Sequence, residues 1–181
     1  MPDNSADYDD PDDLPGDADD DDPDTRQGLI WNLLLLINPG DEETALRQFD
    51  AYREAAGEAE DEGDHWLRTL QDAIDWTSGF YVGGADAEAL VGAIDELAAR
   101  WNLRIDWGGD LDDEDFLGAH DTASLLAVAY DRLREYGYSI WCWDTGGGDC
   151  AGWMALSRDD EDMQRLAAIL GIDLRPGSDP F

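Results

Sequence analysis

Three short apolar runs constrain this chain more than any other feature. Phe80–Val82, Leu103–Trp107 and Tyr138–Trp143 each lead into glycine beside an acid. The first meets Gly83, Gly84 and Asp86, the second Gly108, Gly109 and Asp110, the third Asp144, Gly146, Gly147, Gly148 and Asp149. Leu103, Ile105 and Trp107 alternate with Arg104 and Asp106, the period of a half-buried strand. Two segments of helical spacing separate the runs. Asp86 precedes Leu90, Val91, Ile94, Leu97 and Ala98, and Asp121 or Thr122 precedes Leu125, Leu126, Val128, Ala129 and Leu133. Each is a capped helix with one apolar stripe. Strands linked by helices imply right-handed crossovers and parallel neighbours. Cys150–Leu156 reads as the returning strand of a hairpin, Asp159–Leu170 as a last helix stopped by Gly171, and Ile172–Leu174 as an edge strand.

Three further helices come first. Asp24 or Thr25 caps a segment through Ile37 that is apolar nearly all round, so it is expected to be deeply buried. Acids at Asp41, Glu42 and Glu43 open a second helix, and Asp64 caps a third carrying Trp66, Leu67, Leu70 and Ile74. The expected fold is therefore α/β (α+β): a mixed, mainly parallel sheet of four or five strands with flanking helices and a helical N-terminal segment. Residues 1–25 form a disordered acidic tail and residues 26–181 a single α/β domain. The tail holds twelve Asp and no basic residue, too little apolar area to offset the entropy of ordering it.

Charge limits the partners. The 181 residues hold 45 acids against 11 basic residues, all of them Arg, for a net −34. Without the tail's twelve acids the balance is still −22. A nucleic-acid backbone or an anionic membrane would be repelled, so neither is an expected partner. The N-terminus is the reverse of a secretory signal, and the ten apolar residues Gly28–Ile37 are half of the ~20 that span a bilayer. A cytoplasmic location is the reading that follows.

If the three runs are parallel, their ends gather at one sheet edge, where open α/β sheets bind ligands. Asp106, Gly108, Gly109, Trp143, Asp144 and Asp149 are the candidate cleft residues, with Trp76, Trp107 and Trp141 as further aromatic wall. Acids and indoles together favour a cation, a basic side chain or a metal ion. No metal is assigned. Asp110, Asp112 and Glu114 have the spacing of the first calcium-loop ligands, but Asp115 stands where glycine is required. Gly146–Gly148 lacks the Lys and Ser/Thr of a phosphate loop. His65 and His120 sit at helix starts, where capping or exposure is expected in place of ligation. Ser78, Ser124, Ser139 and Ser157 lack a nucleophile-elbow context, so no catalytic residue and no cofactor are assigned. Cys142 and Cys150 flank the hairpin loop. A cross-strand disulfide is sterically open to them, while a reducing compartment keeps both as free thiols.

From Phe80 onward the chain resembles an uncharacterised bacterial domain, domain-of-unknown-function family 6630. The segments Trp101–Gly108, Tyr136–Thr145 and Ala151–Trp153 carry the likeness, which covers roughly residues 28–181. Cys150 replaces an aromatic residue of that pattern, and Gly83-Gly84 replaces a bulkier polar pair. The resemblance implies a small bacterial cytoplasmic α/β domain and no known activity.

Two kinds of function fit. The first is a non-catalytic acidic interaction protein that binds a basic protein partner, as an immunity or inhibitor protein or a nucleic-acid mimic does. Asp110, Asp112, Asp113, Glu114 and Asp115 would make the contact, with Trp107 as anchor. The alternative is small-ligand or metal-ion binding at the strand-end cleft. A third explanation of the charge is environmental adaptation alone.

Overall fold

The structure is a computed structural model and describes residues 25–58, 65–84 and 86–181. The expected acidic tail up to Asp24, and the acidic break at residues 59–64 with its capping Asp64, lie outside them. Eleven elements follow in order: α1 (Arg26–Ile37), α2 (Glu42–Glu58), α3 (His65–Ser78), β1 (Gly79–Val82), α4 (Ala87–Arg100), α5 (Glu114–Gly118), α6 (Thr122–Glu135), β2 (Tyr138–Trp143), β3 (Cys150–Leu156), α7 (Asp160–Leu170) and β4 (Leu174–Pro176). A single 3-10 turn, Ser157–Asp159, joins β3 to α7.

The helix ends follow side-chain chemistry. Thr25 accepts from the Gly28 amide at 3.2 Å, Asp86 from Ala89 at 2.9 Å and Asp121 from Ser124 at 2.7 Å. Each bond satisfies an amide that the first helical turn leaves unpaired. Gly171 ends α7 at φ 74°, in the left-handed region that favours glycine.

The sheet corrects the expected topology. Its order is β1-β3-β2-β4 and every ladder is antiparallel, so the mainly parallel sheet is not what forms. The six-residue connection Asp144–Asp149 returns β3 against β2, and β3 then also pairs with β1, taking the place expected for Leu103–Trp107. That segment joins no ladder. Its Leu103, Ile105 and Trp107 pack into the core that α4 and α6 share. A period of two shows that one side of an extended chain is buried; it does not supply a hydrogen-bonding neighbour. One part of the expectation survives. Both β1 and β2 oppose β3, so they point the same way and their carboxyl ends share one edge.

Helices cover both faces of the sheet. Trp141, Trp143, Ala151, Trp153 and Ala155 face α1, α2, α3 and α7, while Phe80, Val82, Ile140, Cys142 and Met154 face α4 and α6. Helix α1 buries one face, with Ile30, Leu33, Leu34 and Ile37 at most 1% exposed, while Leu29, Trp31, Leu35 and Leu36 are half-buried and Asn32 is exposed, so the expected burial all round is not reached. Its end is tied to its neighbours by a buried polar cluster. The Asn38 amide donates to Gln48, Gln48 donates to the Ile74 carbonyl and to Ser78, and Ser78 donates back to Asn38. Arg100, from the end of α4, reaches into this cluster with bonds to Asn38 at 2.7 Å and Asp41 at 2.8 Å. Its guanidinium lies 4.7 Å from the Trp101 ring centroid.

Candidate functional site

The shared edge of β1 and β2 is where residues of four elements converge. Across the strands, Tyr81 stands opposite Ala151, and Ala151 opposite Trp143. The small alanine therefore separates two aromatic side chains, whose ring centroids lie 6.3 Å apart at 45°. In the adjacent row, Gly79 stands opposite Trp153, so Trp153 has no side chain beside it on β1. Helix α3 roofs both rows. Leu67, Leu70, Gln71 and Ile74 fall at i, i+3, i+4 and i+7, one helical face, and all four line the space beneath.

That space is a cavity of about 200 Å³. Tyr81, Trp143 and Trp153 wall its sheet side, and Asp72, an exposed carboxylate, stands at its solvent side. Trp153 and Trp141 are each 2% exposed. Their indole N–H groups are buried without a hydrogen-bond partner among the described residues, so these two side chains contribute apolar contact only.

Asp149 locks the rim. It accepts from the Tyr81 hydroxyl at 2.5 Å and from the Gly84 amide at 2.9 Å, joining the hairpin loop to the end of β1. Gly84 is at φ 65°, which glycine adopts without strain. The two groups polarise each other. The bond from Tyr81, then that from Gly84, holds the Asp149 carboxyl below its ordinary value. The same carboxylate raises the Tyr81 phenol above its own. At neutral pH the pair is a neutral phenol donating to a carboxylate. On the loop's other side, Asp144 accepts from the Gly146 amide at 2.8 Å and is exposed.

A smaller recess of about 100 Å³ opens on the opposite sheet face of the same edge. Cys142 and Cys150 line it, together with Asp144, Asp149 and the C-terminal Phe181. Both cysteines are free. The Cys142 thiol donates toward Cys150, which raises Cys142 and lowers Cys150 from the ordinary thiol value.

The structure brings some of the candidate residues together and separates others. Trp143, Asp144 and Asp149 meet at the shared edge, where Tyr81, Trp153 and the α3 residues join them. Asp106, Gly108 and Gly109 do not. The Asp106 carbonyl accepts from Arg132, ten residues along α6 from Thr122, which lines the smaller recess. Ten helical residues span about 15 Å. A Cβ on Gly109 would lie 2.2 Å from the Phe116 ring, so a side chain there requires that ring to move. Trp107 is a core residue, 5% exposed, and its indole donates to Asp95 at 3.1 Å; burial raises the Asp95 carboxyl against that bond. It is not a surface anchor. Asp110, Asp112, Asp113, Glu114 and Asp115 are exposed, and Asp113 caps the short α5. The side chains of His65 and Trp76 lie outside the described residues. His120 contacts the Phe116 carbonyl at 2.8 Å. Among the described residues, no three His, Cys, Asp or Glu side chains gather to hold a metal ion.

Sequence reasoning missed Tyr81, Trp153 and the α3 face. The available signal was the alternation in β1 and β3, which places Tyr81 and Trp153 on the side of Trp143 once β3 lies between β1 and β2.

Among the described residues, no helix is long and apolar enough to cross a membrane. In comparison with known proteins, the family described as a domain of unknown function (DUF6630) matches residues 29–177. No curated protein and no solved structure matches the chain.

Proposed function

Because this chain belongs to the DUF6630 domain-of-unknown-function family, which assigns it no activity, we propose its role from the cleft: a binding protein that takes a small ligand between α3 and the carboxyl ends of β1 and β2. One observation carries this reading. The cavity of about 200 Å³ is walled by aromatic and aliphatic side chains, with few polar groups, between α3 and β1 and next to Trp143 at the end of β2. Binding pockets combine an apolar lining with a small number of placed polar groups, and here Gln71, Asp72 and the Tyr81–Asp149 pair supply them. The cavity-filling variant Leu67→Trp tests it. A library of small fragments is expected to shift the indole N–H resonances of Trp143 and Trp153 in the wild type and to lose that effect in Leu67→Trp. A wild type in which no fragment moves either resonance would overturn the reading.

A second reading, the basic protein partner, rests on the acidic segment Asp110–Asp115, which runs into the first turn of α5. Its five carboxylates are exposed, and no arginine forms an ion pair with them among the described residues. Such a patch accelerates encounter with a cationic inhibitor target or nucleic-acid-binding protein. We place the protein in the cytoplasm, where its two free thiols are stable.

A further inference from the structure

We infer that the cavity beneath α3 is a seat for a small organic cation, a trimethylammonium-like headgroup on a short stem. The inference rests on the binding reading above and names the ligand class. The walls come first. Tyr81, Trp143 and Trp153 enclose the sheet side, and the faces of such rings carry negative potential that attracts a cation, most strongly when water is excluded. The Tyr81–Asp149 bond adds to this. A phenol donating to a carboxylate gains electron density in its ring, so Tyr81 is a stronger partner than an unbonded tyrosine.

The charges nearest the site are two carboxylates and one arginine. Asp72 lines the opening and Asp149 holds the Tyr81 hydroxyl. Arg68 of α3 is the cation whose field reaches Tyr81. It is exposed and so partly screened, and two carboxylates oppose it. Five of the eleven arginines lie over other rings. Arg26, Arg53, Arg100, Arg134 and Arg175 lie over Trp66, Phe49, Trp101, Tyr130 and Phe181. Among the described residues none lies over a cavity ring. Size is consistent with such a guest: a cavity of about 200 Å³ lies below the roughly 300–1,000 Å³ of pockets that take drug-sized ligands.

Calorimetric titration of the full chain at constant ionic strength tests this. One arm uses choline; the other uses the neutral alcohol in which a tert-butyl group replaces the trimethylammonium. Choline is expected to bind one-to-one and about tenfold tighter than the alcohol. Tyr81→Leu should weaken choline about tenfold, Tyr81→Phe a few-fold, and Arg68→Gln should strengthen it about twofold. Equal affinity for both probes would overturn the cation class and leave the cleft a ligand site. No saturable heat from either would overturn the cation class, while the fragment library decides whether the cleft binds a ligand at all. Choline binding unchanged in Tyr81→Phe and Arg68→Gln would assign it to the general acidic field and also overturn the inference. Those two variants keep the test decisive should Tyr81→Leu fail to fold.

Discussion

Arg100 shows how much one side chain organises here. Its side chain is 15% exposed and bonds to groups at the ends of α1 and α3 and to Asp41 just before α2. The Arg100 bond, then the bonds from Thr44, lowers the Asp41 carboxyl from 3.8 to about 2. A carboxylate lowered in the folded state adds stability above its unfolded value, and that stability is lost as pH falls through the folded one. The unfolding free energies of wild type and Asp41→Asn should therefore differ above pH 4 by on the order of 1 kcal/mol, discounted because Asp41 is 36% exposed, and converge near pH 2. Urea unfolding across that range checks it, and a gap that widens toward low pH would contradict the assignment. Residues with a local role were legible in the sequence: Thr25, Asp86 and Asp121 as caps, Gly171 as a stop. Arg100 was not, because its partners Asn38 and Asp41 lie about sixty positions away and no local period signals them.

Among the elements, β3 decides the sheet. It lies between β1 and β2, and Gly152 lets the strands meet at their central row. A Cβ on Gly152 would stand 2.0 Å from the Trp141 carbonyl oxygen and 2.8 Å from the Phe80 ring. Backbone cannot yield as a flexible side chain does, so Gly152→Ala should lower stability by about 3 kcal/mol, seen as a fall in the urea midpoint. A loss below about 0.5 kcal/mol would mean that the strands adjust freely. Apart from the short α5, which falls in a stretch that reads as an acidic loop, the helices and the hairpin could be read from spacing and turn residues, since both depend on neighbours in sequence. The partner of β1 could not. A period-two run is equally satisfied by a strand beside it or by a helical layer beneath it, and Leu103–Trp107 takes the second course. That choice removed Asp106, Gly108 and Gly109 from the cleft and brought Tyr81 and Trp153 into it.

For the molecule as a whole, the described acids are not confined to one helical layer. Exposed carboxylates occur on α2, α4, α5 and α7 and in the loops between, so both helical layers carry them. With a net −34, mutual repulsion opposes the compact state and salt relieves it. The melting temperature should rise with added KCl, and a flat response up to about 1 M, where the screening length is ~3 Å, would show that the repulsion is already neutralised within the fold. The overall charge was fully legible in the sequence, but its distribution over the surface needed the fold. The strand order has one more consequence. The lateral borders of the sheet are its two shortest strands, β1 with four residues and β4 with three. Pro176 deprives the β4 border of an amide hydrogen, while the two longest strands are enclosed. A template for intermolecular β-stacking is thereby denied on both flanks, and the protein should stay dispersed at concentrations where longer bare strands would seed fibrils.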